Sequence, residues 1–247
     1  MSRIVLVTGG ARGVGLGIVR GFVEAGDTVV TCGRTPDPDL DVRYLQADVR
    51  DWSQVDGLVS AVVEEFGRLD VVVNNAGGAP PADSATASPR LHEKIIALNL
   101  VAPLHVSQRA NAVMQQQDSG GVLVMIGSVS GTRPSPGTAA YGAAKAGLAN
   151  LASSLAVEWA PKVRVNTVVV GPVHTELSHL HYGDEVGVAA VGETIPAGRM
   201  ATPADVAQAC LYLASPAASY ISGSTLTVHG GGERPAFLAA SNASPTR

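Results

Sequence analysis

Residues 8–15 read TGGARGVG, directly after the apolar run Ile4–Val7 and directly before LGIVRGFVEAG at residues 16–26. A strand, a glycine turn and a helix start in that order make an anion site, because free backbone N–H groups and the positive end of the helix dipole converge on one point. The glycines at 9, 13 and 15 are spaced G-x-x-x-G-x-G rather than G-x-G-x-x-G, and a glycine turn alone is also met as a plain strand-to-helix connection.

Outward from this turn, short β-branched runs alternate with longer segments of helical periodicity. The runs are Ile4–Val7, Thr28–Cys32, Val42–Leu45, Val71–Val73, Val122–Ile126, Val163–Val169 and Thr225–Val228, and they read as parallel strands buried on both faces. Helical patterns lie at about residues 14–25, 51–67, 90–117, 141–160 and 203–214. The alternation predicts an α/β fold with a doubly wound, parallel, seven-stranded sheet and helices on both faces. Between Arg34 and Asp48, Pro36 and Pro38 oppose a helix, so a loop or single turn is expected there. No repeat, linker or second domain is visible, and one domain over residues 1–247 is expected, with a weakly ordered tail from about residue 233.

The composition fits a folded protein: 46% of the 247 residues are hydrophobic and 15% charged. A net charge of −4 supplies no basic footprint for nucleic acid. Cys32 and Cys210 give no disulfide framework and read as inert packing residues, which suits a reducing compartment. The apolar run after Arg3 is too short for a signal segment and no run approaches a membrane span, so a cytoplasmic location without membrane attachment is expected.

A second constellation is Ser128, Tyr141 and Lys145. Tyr141 and Lys145 are four apart in YGAAK and share one helix face. An ammonium beside a phenol favours the ionised phenol and moves it towards acid/base work near neutral pH. Ser128 follows the apolar stretch VLVMIG, at the strand end where an open α/β sheet places its ligands.

TGGARGVG, the NNAG at residues 74–77, Asn99 in ALNL, Ser128 and YGAAK stand in the order and spacing of the short-chain dehydrogenase/reductase family, which the chain resembles over almost its whole length. The resemblance implies a Rossmann-type fold and hydride transfer between a nicotinamide cofactor and a carbonyl or secondary alcohol. It implies Tyr141 as general acid or base, Ser128 as hydrogen-bond donor to the substrate oxygen, and Lys145 on the nicotinamide ribose, lowering the Tyr141 pKa. Asn99 would kink its helix and hold a water. Gly9, Arg12, Gly13, Val14 and Gly15 would cradle the cofactor, Asp48 and Val49 would meet the adenine, and Asn75, Ala76 and Gly77 would line the cofactor, as would Tyr141 and Lys145. Val173 and Thr175 would meet the carboxamide, although Val170 stands where the family's first proline is usual. His229 stands where an acid is more common.

About 20 residues past the glycine turn, an NAD-binding fold places an acid on the ribose 2′-hydroxyl, whereas a 2′-phosphate calls for a cation. Here Gly33 takes that place, Arg34 follows, and Arg12 stands in the turn, so NADP(H) is the expected cofactor and NAD(H) the alternative. Asp37, Asp39 and Asp41 are close enough in sequence to offset these charges. The H-x-H of His179 and His181 lacks further ligands, and no metal is expected. Residues 176–197 are expected as a substrate lid by the same resemblance. Apolar lid residues Leu177, Leu180 and Val188 and a scarcity of nearby cations favour a neutral, fairly hydrophobic small-molecule substrate. Small apolar residues around the helix from Gly142 to Ala156 favour a homotetramer or homodimer. A rival reading is a catalytically idle nucleotide-bound scaffold.

Overall fold

Each of the seven apolar runs forms a strand: β1 (Ile4–Thr8), β2 (Thr28–Gly33), β3 (Arg43–Gln46), β4 (Val71–Asn74), β5 (Gly121–Ser128), β6 (Val163–Val170) and β7 (Thr225–Val228). These bounds come from a computed structural model that describes residues 2–35, 40–235 and 240. All neighbouring strands pair in parallel, in the order β3-β2-β1-β4-β5-β6-β7. The chain reverses its direction across the sheet between β1 and β4, and such a switch point opens a crevice at the carboxyl ends of the strands.

Period-two side chains explain the two cores. Leu6, Val30, Val72, Leu123 and Val165 lie in one apolar cluster. That cluster includes residues of the helices α2 (Trp52–Phe66), α4 (Ala102–Met114) and α5 (Ala139–Glu158). Val5, Val7, Val29, Val71, Val124 and Val168 form the opposite cluster with α1 (Gly13–Glu24) and α8 (Pro203–Ala214). The five inner strands are buried on both faces, so their sequence runs are largely apolar, whereas the edge strands β3 and β7, expected to be buried as well, are partly exposed because each has a neighbour on one side only. Helix starts are fixed locally. Asp51 accepts from the Ser53 and Gln54 amides at the start of α2, while Thr202 and Asp205 form a reciprocal capping box at the start of α8.

The helix expected over 90–117 is not one helix. It divides into α3 (Pro89–Ile96), a π-helical turn Ala97–Val101 and α4. Pro103 has no N–H to give to the Asn99 carbonyl, and the Ala102 N–H reaches back five residues to Ala97. The stretch 176–197, expected only as a lid, carries two short helices, α6 (His179–Tyr182) and α7 (Glu185–Thr194). Between β2 and β3 the described residues form bends, as expected; residues 36–39 lie outside the described residues, as do 236–239 and 241–247 of the expected tail. Among the described residues no helix is long and apolar enough to cross a membrane.

Candidate active site

One cleft of about 1080 Å³ runs along the carboxyl ends of the strands. Its walls contain Gly9, Arg12, Gly13, Val14, Gly15, Arg34, Asp48, Val49, Asn75, Ala76, Gly77, Ser128, Tyr141, Lys145, Val173 and Thr175. Asn99 does not line it.

At the glycine turn, Gly13 takes φ +55° and begins α1, so its amide faces outward without an intrahelical partner. A side chain at Gly15 would bring its Cβ to 2.2 Å from the Gly9 carbonyl oxygen and 2.5 Å from Asn75 Nδ2. Asn75 holds the turn by donating to the Thr8 and Gly9 carbonyls at 2.9 and 3.1 Å. The Thr8 hydroxyl accepts from the amides of Asn75 and Ala76, both at 3.0 Å. Thr8 thus fastens the β1 and β4 ends together, a role the sequence reading did not give it. An anion already sits on the turn: Glu176 Oε1 accepts from the Gly13 amide at 2.8 Å.

At the other strand ends, Arg12 and Arg34 line the cleft beside Gly33 and Tyr44. Neither arginine has an ion-pair partner among the described residues, Asp41 included; Asp37 and Asp39 lie outside those residues. Asp48 is gripped by Arg50, whose Nε lies 2.9 Å from Oδ1 and whose terminal nitrogen lies 2.5 Å from Oδ2. Hydrogen bonding from Arg50 holds the Asp48 carboxyl below its ordinary range. Arg50 was not singled out in the sequence, although its place two residues from Asp48 was a usable signal.

Ser128, Tyr141 and Lys145 meet at the opposite end of the cleft. Burial pushes the Tyr141 phenol up, the Ser128 hydroxyl draws it down by hydrogen bonding, and the Tyr182 phenol pushes it up. The Lys145 side chain is engaged with the neighbouring strand β5. Its ammonium donates to the Ile126 carbonyl at 2.7 Å and lies 5.6 Å from the centre of the Tyr141 ring. With a side chain enclosed by protein, Lys145 is itself pushed down to about 8 by burial. Asn99 lies behind this wall, fully buried. Its Oδ1 accepts from the Gly78 amide at 2.8 Å, and its Nδ2 donates to the Gly78 and Ile95 carbonyls, both at 2.9 Å. The side chain ties the loop after β4 to the π-turn, while Pro103 leaves the Asn99 carbonyl without its helical donor.

Leu177, His181 and Tyr182 line the mouth, so the stretch expected as a lid does border the cleft. Arg133 lines it too, its charge paired with Glu233. His179 is engaged with the Glu176 carbonyl, and among the described residues no group of three or more His, Cys, Asp or Glu is placed to hold a metal. His229 packs on Gly171, where a Cβ would lie 2.9 Å from its own Cβ.

A family model described as enoyl-(acyl carrier protein) reductase matches residues 9–233. The chain is 33% identical over 243 residues to a 3alpha-hydroxysteroid dehydrogenase of Mediterraneibacter gnavus, covering 93% of this chain and 96% of that one. It is 38% identical over 231 residues to the 3-oxoacyl-(acyl-carrier-protein) reductase MabA of Mycobacterium tuberculosis, covering 94% and 93%. The fold is similar to the ligand-free aldohexose dehydrogenase of Thermoplasma acidophilum, with a TM-score of 0.90 and 27% identity over 100% of this chain and 98% of that one. With matches of this length, on this sheet and around this cleft, the chain belongs to the short-chain dehydrogenase/reductase family of oxidoreductases.

Proposed function

We propose that the protein uses NADP(H) to interconvert a carbonyl and a secondary alcohol, with Tyr141, Ser128, Lys145 and Asn99 as its working set. The reading is carried by one cleft that has Ser128, Tyr141 and Lys145 at one end and, at the other, Arg12 and Arg34 with no carboxylate at position 33. A nicotinamide dinucleotide, when bound, supplies the hydride chemistry. The turn suits its phosphates, because the Gly13 amide already takes an oxyanion in a hydrogen bond of 2.8 Å. Asp48 and Val49 would hold the adenine, Asn75 to Gly77 the middle, and Val173 and Thr175 the carboxamide.

In reduction, the Tyr141 phenol gives its proton to the substrate oxygen while the Ser128 hydroxyl donates a hydrogen bond to the same oxygen. Burial keeps the phenol protonated until then. The Lys145 ammonium stabilises the phenolate left behind, and the Asn99 carbonyl, to which Pro103 cannot donate, holds a water behind it. In oxidation the same groups run in reverse. A catalytically idle scaffold would gain nothing from keeping all four. An NAD(H)-dependent alcohol or steroid dehydrogenase is the second reading, its steroid substrate favoured by the name of the Mediterraneibacter gnavus relative.

The substrate is a small-molecule carbonyl or alcohol, covered by a lid at residues 176–197, in a single-domain, cytoplasmic protein. Val157, 81% exposed on α5, supports assembly through that helix into a homotetramer or homodimer. The test is a spectrophotometric screen of ketones, steroids, sugars and acyl thioesters with NADPH and NADH. NADPH consumption with at least one class is expected; no turnover with either cofactor overturns the reading.

A further inference from the structure

Strand β3 borders β2 at the sheet edge, with Tyr44 opposite Thr31 and Gln46 opposite Gly33. The Tyr44 side chain leans towards the carboxyl end of β2, and its hydroxyl donates to the Thr35 carbonyl at 2.7 Å. Gln46 Nε2 donates to the Arg34 carbonyl at 2.8 Å. Two side chains of one strand therefore fix two successive carbonyls of the segment that carries Arg34. The phenol also fills space next to Gly33, where a Cβ would lie 2.7 Å from the Tyr44 oxygen. Gly33, Arg34, Thr35 and Tyr44 all face the same end of the cleft.

We infer that Tyr44 is a specificity-determining positioning residue, which selects the adenine ribose by closing position 33 to a carboxylate and by fixing the backbone of Arg34. The inference rests on the NADP(H) reading above. An acid at position 33 would bind a ribose 2′-hydroxyl and repel a 2′-phosphate. With Tyr44 in place, such a side chain fits only if the phenol swings away and gives up its bond to Thr35. That same bond, with the one from Gln46, starts the Arg34 guanidinium from a fixed backbone, so less freedom is lost when it closes on a phosphate.

The experiment is fluorescence titration of the full chain with NADPH and NADH, alongside thermal unfolding. The wild type binds NADPH the more tightly. Tyr44→Phe keeps the ring and deletes the bond to Thr35, so NADPH binding weakens about fivefold, the worth of one ordinary hydrogen bond, while NADH binding is unchanged. Gly33→Ala lowers the melting temperature in the wild type and does so less in Tyr44→Ala, where the room exists. Gly33→Asp combined with Tyr44→Ala shifts the preference to NADH. Equal binding of both cofactors by the wild type overturns the NADP(H) reading itself. A wild type that prefers NADPH, with an unchanged ratio in Tyr44→Phe, overturns the positioning role. Equal melting shifts from Gly33→Ala in both backgrounds overturn the steric role.

Discussion

The Glu176 carboxylate accepts a 2.8 Å hydrogen bond from the Gly13 amide, joining the start of the stretch proposed as a lid to the start of α1 across 163 residues of chain. A cofactor phosphate on the glycine turn would take the same donor, so the carboxylate has to leave first, and two anions cannot share the site. Glu176→Gln keeps the size and removes the charge. NADPH is expected to bind about three- to tenfold more tightly to this variant, the range for trading a charge-assisted hydrogen bond for a neutral one in the free state. Equilibrium titration decides it: unchanged or weaker binding shows that Glu176 does not compete.

Tyr141→Phe retains the ring but has no proton to transfer. Turnover should fall by about 10² or more, while the Kd for NADPH stays within twofold. Near-normal kcat in this variant would remove Tyr141 from the chemistry.

The inner strands were legible because a buried parallel strand must be apolar on both faces, whereas the edge strand β7, read at its observed bounds Thr225–Val228, is half exposed and alternates polar with apolar. The break between α3 and α4 leaves no mark in the apolar periodicity, which continues through it; the kink at Asn99 was expected only from the family resemblance, and Pro103, which cannot donate to Asn99, was the local signal left unused. Side-chain partners were another matter. Lys145 donating to Ile126 across 19 residues and Glu176 donating nothing but accepting from Gly13 across 163 leave no periodic trace, because only the closed sheet brings them together. Tyr44 was hidden for the same reason. Its role depends on an empty position on a neighbouring strand, which no local pattern records.

Burial of Lys145 makes stability depend on pH. The side chain titrates at an ordinary 10.5 in the unfolded chain and at about 8 in the folded one. Between those values the unfolded chain holds one more proton than the folded chain, so stability rises with pH across this window. Below pH 8 the buried ammonium costs about 3 kcal/mol, an order-of-magnitude figure for a drop of this size. Lys145→Met removes the titration, and its loss of the bond to Ile126 is a constant offset. The stability of the variant relative to wild type should therefore decrease steadily from pH 8 to pH 10 in denaturant melts. A pH-independent difference would mean that Lys145 keeps its ordinary proton affinity in the fold.

Cofactor selection tests the two arginines. Arg12 and Arg34 line one end of the cleft, with neither neutralised by an ion pair among the described residues, while Asp48, the acid in the same wall, is already held by Arg50. A guanidinium fork binds a 2′-phosphate with two charge-assisted hydrogen bonds that NAD cannot reciprocate. Each such bond is worth about 1.5–3 kcal/mol, so Arg34→Ala with Arg12→Ala should lower kcat/KM for NADPH by about 10²-fold or more and leave NADH nearly untouched. Salt should act in the same direction, since both arginines line an open cleft: raising ionic strength weakens NADPH more than NADH in the wild type and equally in the double variant. Equal efficiency of the two cofactors in the wild type, or an unchanged ratio in the double variant, would assign both arginines to solvent and leave the glycine turn as a phosphate site without a preference.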